Sequence, residues 1–245
     1  MKIALIGYGR MGKAIEEIAL KRGHEVVARI DIDNQQDFDS DAFASADVAI
    51  EFTNASQAPD NFHKAWNKGV PVVSGTTGET VKRAIEEMKA DASKKGHTLM
   101  HSSNFSIGVN LLFAVNRYLA RLTEPFDEYK VAIDETHHIH KLDHPSGTGI
   151  TLAEQIIANN DRYTGWEESS EDEPVAADMI PMHCLREGEN PGFHEVKWSS
   201  EADSISISHQ ANSRAGFALG SVLAAEWIVK QPRGKFYSIN DMFNF

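Results

Sequence analysis

The first 31 residues admit few folds. Lys2–Ile6 is a short apolar run, and Gly7-Tyr8-Gly9-Arg10-Met11-Gly12 follows it without a gap. Ala14, Ile15, Ile18 and Ala19 then recur at helical spacing, Gly23 closes that segment, and a second apolar run, Glu25–Ile30, ends at Asp31. A lone pair of glycines would mark only a tight turn between strand and helix. With every part in register the pattern predicts a dinucleotide-binding unit. The glycines let the backbone approach a pyrophosphate, the helix N-terminus supplies amides, and an acid about 20 residues on accepts bonds from the ribose hydroxyls.

The alternation continues. Residues 47–52 read as a strand ending in Thr53-Asn54, 57–68 as a helix, and 70–74 as a strand running into Gly75-Thr76-Thr77-Gly78. A helix over 79–94 and a strand over 97–101, ending in Ser102-Ser103-Asn104-Phe105, complete the series. Strands alternating with helices predict an α/β fold: an N-terminal Rossmann-type, doubly wound parallel sheet with its ligand at the strand C-terminal ends. Small and hydroxyl residues gather at three of those ends, which points to a crevice there.

Composition narrows the class. A length of 245 residues suits one large or two modest domains, and 41% hydrophobic with 24% charged residues is ordinary for a globular chain. A net charge of −12 argues against a general nucleic-acid binder, which needs a basic face. Cys184 is the single cysteine, so neither an internal disulfide nor a cysteine-based metal cluster can form. No apolar run has the length of a signal peptide core or a membrane span, which predicts a soluble, cytoplasmic protein without a membrane partner.

After Phe105 the pattern changes. A long apolar helix over 107–122 and a strand over 128–134 lead into a histidine-rich stretch, followed by a helix over 148–159 and an acidic, irregular, exposed connection over 161–174. Strand-like runs follow at 178–185, 192–199 and 204–209; in the last, Ile205 and Ile207 alternate with serines, predicting one buried and one polar face. A final helix over 214–229 could return to the first domain. The expected organisation is a dinucleotide-binding domain over 1–106, to which 214–245 returns, and a C-terminal α+β domain over 107–213 with a mixed or antiparallel sheet.

The histidine-rich stretch, His137 to Gly149, holds four histidines and Lys141, then Pro145-Ser146-Gly147-Thr148. Pro145 and Gly147 mark a loop, and Ser146 can N-cap the following helix. A helix N-terminus beside Lys141 and protonatable imidazoles suits holding a carboxylate or phosphate and moving a proton. The competing reading is a solvated loop or a metal tract; Lys141 would repel a cation and no carboxylate set stands at ligand spacing, so no metal site is expected.

Taken together, these motifs resemble the 4-hydroxy-tetrahydrodipicolinate reductase (dihydrodipicolinate reductase) family over nearly the whole chain. The resemblance rests on Gly9-Arg10-Met11-Gly12, residues 47–53, Gly75-Thr76-Thr77-Gly78 and Asn104-Phe105-Ser106-Ile107-Gly108-Val109-Asn110. It rests further on Glu135-Thr136-His137-His138-Ile139-His140-Lys141, Pro145-Ser146-Gly147-Thr148, Arg186-Glu187-Gly188 and Ser213-Arg214. It implies reduction of the hydroxylated ring, through its dehydrated cyclic imine, to tetrahydrodipicolinate in the diaminopimelate route of lysine biosynthesis.

By the same resemblance His137 and Lys141 are the acid/base pair, with the choice of proton donor open, and His138, Ser146, Gly147 and Thr148 contact the dicarboxylate. Gly7, Tyr8, Gly9, Arg10, Met11, Gly12, Asp31, Gly75, Thr76, Thr77, Ser102, Ser103, Asn104 and Phe105 form the site for NADH, NADPH or both. Members are commonly homotetramers joined through the sheets of their substrate domains. Where many members carry arginine after the ribose-binding acid, this chain has Ile32, which implies that NADH serves at least as well as NADPH. Two alternatives are another Rossmann amino-acid or imine dehydrogenase, such as diaminopimelate dehydrogenase, and a dinucleotide-sensing regulator without chemistry. The His-His-x-His-Lys run disfavours the first, and intact acid/base positions the second.

Overall fold

The computed structural model describes residues 1–170 and 173–243. The chain forms two compact units: Met1–Ser106 together with the chain from Arg214 onward, and Ile107–Ser213.

In the first unit, β1 (Lys2–Ile6), α1 (Arg10–Lys21) and β2 (Glu25–Ile30) form the opening strand–helix–strand. A 3-10 segment over Ile32–Asp39 and a single turn, α2 (Asp41–Ala44), follow, outside the expected elements; each buries one phenylalanine, Phe38 and Phe43, in the core. Their starts are fixed by side chains, Asp31 accepting from the Ile32 amide and Ser40 from the Phe43 amide. Then come β3 (Val48–Glu51), α3 (Ala58–Asn67), β4 (Val72–Ser74), α4 (Glu79–Lys89), α5 (Ala92–Lys95) and β5 (Leu99–His101). The single helix expected over 79–94 is broken because Asp91 leaves helical geometry (φ −106°, ψ 0°).

In the second unit, α6 (Ile107–Thr123), β6 (Lys130–His137) and α7 (Gly147–Ile157) precede β7 (Gly165–Glu168), β8 (Met179–Arg186), β9 (Phe193–Ser199) and β10 (Ser204–Gln210). The chain then rejoins the first unit as α8 (Ala215–Ile228), β11 (Phe236–Ser238) and α9 (Ile239–Phe243).

The first sheet runs β11-β5-β4-β3-β1-β2, every pair parallel. Successive residues of β1 enter opposite cores: Ile3 and Leu5 pack with α1 and α8, and Ala4 and Ile6 with α3. Burial on both faces is what a parallel sheet requires, and it explains the unbroken apolar strands. At Gly220 of α8 an added Cβ would lie 1.7 Å from the Phe105 carbonyl oxygen, so α8 and the turn after β5 meet at backbone distance.

The second sheet runs β10-β9-β6-β8-β7 and is mixed: β6–β8 and β7–β8 are parallel, β6–β9 and β9–β10 antiparallel. Trp198, Ile133, Val131, Ile180 and Met182 face a core shared with Leu112, Leu152 and Ile156 of α6 and α7.

Three expectations are corrected here. Strand β6 does not stop at 134 but continues through His137, because Glu135 and His137 take the inward positions that Val131 and Ile133 hold earlier. Apolar alternation cannot see a strand whose buried face turns polar. The connection over 161–174 is not irregular throughout: Gly165–Glu168 pairs with β8, while Glu171 and Asp172 lie outside the described residues. Finally, β10 is an edge strand whose inward face is only partly covered, and Ile205 stays 43% exposed.

Candidate active site

In the first unit, three crevice turns stand at the C-terminal ends of β1, β3 and β4. Gly7 sits at φ +90°, and a Cβ there would lie 2.0 Å from the Phe52 carbonyl oxygen; one on Gly12 would lie 2.3 Å from the Gly7 carbonyl oxygen. No side chain fits either place. Gly9 is the opposite case, with nothing within 4 Å, and it borders a cavity of about 350 Å³ shared with Arg10, Met11, Thr53, Gly75 and Thr76. A side chain at Gly9 would stand in that cavity. Gly9 also N-caps α1 with no side-chain bond and no acid in the first turn, so the helix end is open to an anion. These features fit a pyrophosphate.

A second cavity, about 190 Å³, is bordered by Asp31, Ile32, Gln35, Asn54 and Gln57, and its lining includes no basic side chain. The Asp31 carboxylate accepts from the Ile32 amide at 2.9 Å, and Asn34 accepts from the Asp31 amide at 2.7 Å, which fixes the acid at the cavity edge. This suits a ribose with free hydroxyls. Tyr8 of the glycine loop donates its hydroxyl to Glu16. Met11 both borders the first cavity and packs on the core.

Sequence reasoning missed the group that joins two of these turns. Glu51, fully buried at the end of β3, accepts from the Thr53 amide (3.0 Å), the Thr53 hydroxyl, Ser74 Oγ (2.6 Å) and Thr76 Oγ1 (2.9 Å). A charged residue inside an apolar strand was the available signal. Thr76 and Thr77 border the first cavity. Ser102, Ser103, Asn104 and Phe105 border neither cavity: Ser102 Oγ and Asn104 Oδ1 bond backbone groups of the same turn, Ser103 is exposed, and Phe105 lies in the core.

In the second unit the site is built around Glu135, again fully buried. It accepts from the Ser146 amide at 3.0 Å, from the Ser146 hydroxyl, and from Arg186 Nη2 at 3.0 Å. Ser146 in turn N-caps α7, accepting from the Gly149 amide at 3.1 Å, and its hydroxyl meets His194 Nε2 at 3.1 Å. Ser146 is therefore buried and turned inward. Gly149 gives it room, since a Cβ there would lie 2.7 Å from Glu135 Oε2. His137 Nδ1 and His194 Nε2 each stand 3.7 Å from a Glu135 oxygen.

The other expected residues lie along the loop. Lys141 Nζ donates to both oxygens of Asp143 at 2.7–2.8 Å. His138 is half-buried, Gly147 is exposed with open space beside it, and Thr148 follows on α7. His140 and His144 are exposed and meet Glu189 and Glu168. Sequence reasoning assigns Glu135, Arg186 and His194 no role of their own; for Glu135 the inward parity of β6 is the available signal.

Burial sets the charges. It holds the His137 imidazole down at about 4 and that of His194 down at about 3, so both are neutral near pH 7, with Glu135 opposing the shift. Burial opposes ionisation of Glu135, but the bonds from Ser146 outweigh it and keep this carboxyl below its ordinary range. The Cys184 thiol, half-buried beside Glu135 and Glu168, is pushed up to about 12 and is no nucleophile. Glu135, His137 and His194 bring ligand atoms within 4.8 Å, but the Arg186 guanidinium already neutralises Glu135, so this group does not fit a metal ion.

Comparison with known proteins agrees on one family. The model for the N-terminus of dihydrodipicolinate reductase matches residues 1–105, and that for its C-terminus matches 108–243. A 4-hydroxy-tetrahydrodipicolinate reductase of Christiangramia forsetii is 44% identical over 93% of this chain and 92% of its own length. One of Archaeoglobus fulgidus is 33% identical over 98% and 99%. The fold matches that of a dipicolinate-bound dihydrodipicolinate reductase from Paenisporosarcina sp. TG-14, with a TM-score of 0.76 at 20% identity over 97% of both chains.

Proposed function

The chain belongs to the dihydrodipicolinate reductase family, and from this premise we propose how its residues divide the work. The reaction is the NAD(P)H-dependent reduction of 4-hydroxy-tetrahydrodipicolinate, by way of dihydrodipicolinate, to tetrahydrodipicolinate. When bound, the nicotinamide supplies the hydride. Gly7, Gly9, Gly12 and Arg10 hold the pyrophosphate, Asp31 the adenine ribose, and Gly75, Thr76 and Thr77 the remainder of the dinucleotide; Glu51 keeps the Thr53 and Thr76 turns in register. Tyr8 and Met11 support the glycine loop, and Ser102 to Phe105 shape the chain behind it.

In the second unit, His138 and the α7 N-terminus at Gly147 and Thr148 bind one substrate carboxylate. Ser146 serves by anchoring that helix end to Glu135. Lys141 Nζ donates the proton to the enamine-like anion of the reduced ring, with Asp143 aiming the ammonium group. His137 is buried and neutral, so it acts as a hydrogen-bonding partner of the substrate instead of the acid. The observation that carries this division is the Glu135–Ser146–Arg186 cluster, a buried anchor joining β6, α7 and β8.

The same reading includes NADH use at least equal to NADPH, assembly as a homotetramer, and a cytoplasmic setting. No helix among the described residues is long and apolar enough to cross a membrane. The test is loss of nicotinamide absorbance with freshly generated substrate and NADH or NADPH. Substrate-dependent oxidation is expected with NADH; none with either cofactor would refute the function.

A further inference from the structure

Arg29 lies on β2 and Asp31 directly follows the strand in extended geometry (φ −138°, ψ −172°), so their side chains leave the same side of the chain, about 7 Å apart along it. Asp31 borders the cavity that suits the ribose. An arginine so placed is the obvious partner for a ribose 2′-phosphate, because guanidinium matches phosphate geometry. The Arg29 guanidinium is engaged elsewhere. Its Nε donates to Glu16 Oε1 of α1 at 2.9 Å, and Nη2 donates to the same oxygen. The other Glu16 oxygen accepts the Tyr8 hydroxyl. The guanidinium carbon also lies 5.8 Å from the centre of the Tyr8 ring, within cation–π range.

Glu16 is the well-placed member of this trio. Its side chain is 13% exposed, against 42% for Arg29. The bond between them holds the Glu16 carboxyl below its ordinary range and raises Arg29, so the two stay charged together. Lys64, beside the cavity residue Gln35, is engaged as well: it bonds Gln35 at 3.1 Å and pairs with Asp60 at 2.8 Å.

We propose that Glu16 is a specificity-determining residue, which holds Arg29 against Tyr8 and so withholds the cation that a 2′-phosphate would need. The ribose cavity then presents Asp31 without a counter-charge and selects the unphosphorylated dinucleotide. The inference rests on the assignment of this chain as an NAD(P)H-dependent reductase. Removing the Glu16 charge leaves Arg29 resting on the Tyr8 ring, two residues from the ribose acid and free to turn towards a phosphate.

The experiment compares kcat/KM for NADPH and NADH, with the dicarboxylate substrate, in the wild type, E16Q, R29A and the double variant E16Q/R29A. In E16Q the NADPH-to-NADH ratio rises about tenfold or more, the scale of one charge-assisted bond to phosphate. In the double variant it returns to within about twofold of wild type. R29A alone leaves the ratio within about twofold of wild type, a test that stands even if E16Q fails to fold. An unchanged ratio in a folded E16Q, a raised ratio persisting in the double variant, or a large loss of NADPH use in R29A would each overturn the proposal. Wild-type protein inactive with both cofactors would instead refute the functional assignment beneath it.

Discussion

Lys141 and His137 are separated by their surroundings more than by their chemistry. Lys141 reaches partly into solvent and is held by Asp143, whereas His137 is almost wholly buried, its Nδ1 without a hydrogen bond among the described residues and 3.7 Å from Glu135. With Lys141 as the donor, Lys141→Ala lowers kcat by about 10²–10⁴-fold, the usual scale for a lost general acid. His137→Gln costs less in kcat and more in KM. Equal losses of kcat in the two variants would contradict that division, and steady-state kinetics decides it.

The buried imidazoles also fix a pH dependence of stability. In the unfolded chain His137 and His194 take up protons near pH 6.5, but in the folded protein only near about 4 and about 3. The unfolded state therefore binds more protons in that window, and stability present above pH 6.5 is lost as pH falls towards 4. Thermal melts of wild type and H194Q between pH 7.5 and 4.5 measure it. Wild type loses about 1–3 kcal/mol more than H194Q over that range; parallel losses would show that His194 is not buried in neutral form.

Among the elements, α7 has the most dependent position. Its first turn carries no acid, and its N-cap, Ser146, also donates to the carboxylate that the end of β6 buries. Ser146→Ala therefore removes a cap worth about 0.5–2 kcal/mol and leaves Glu135 short of a donor, a loss of about 1–3 kcal/mol. At about 2–4 °C per kcal/mol for a chain of this size, the melting midpoint falls by about 3–20 °C. KM for the dicarboxylate rises with it, because the helix end proposed to bind the carboxylate loses its anchor. A melting point within about 1 °C of wild type would mean that Ser146 does not hold α7 to β6. The pairing of β6 with β8, His137 opposite Arg186, explains why Arg186 reaches the same carboxylate from a strand far away in sequence.

For the whole molecule, the open face of the second sheet is the surface that assembly would use. Thr136, Leu185 and Phe193 share this side of β6, β8 and β9, opposite the face that buries Ile133, Met182 and Val196, and Leu185 is 53% exposed. Beside them His183 and Asp134 pair at 2.6 Å. If the protein is the proposed homotetramer, Leu185→Asp puts a charge into that face and shifts the sedimenting species to a smaller assembly. A variant that sediments as wild type would place the interface elsewhere.

Sequence alone determined the opening strand–helix–strand of the first unit, since β1, β2 and the glycine turn obey local rules: apolar runs, helical spacing, and glycines where a Cβ would strike Phe52 or Gly7. It also marked Lys141, the histidines and the Ser146 cap, because loop and capping chemistry is written in neighbouring residues. Tertiary structure alone decided the rest. Glu51 and Glu135 acquire meaning only where distant hydroxyls and a guanidinium converge on them, and β7 exists only because β8 offers it an edge. The neutrality of His137 and the engagement of Arg29 by Glu16 were likewise out of reach, for burial and charge pairing depend on what the fold brings alongside a residue.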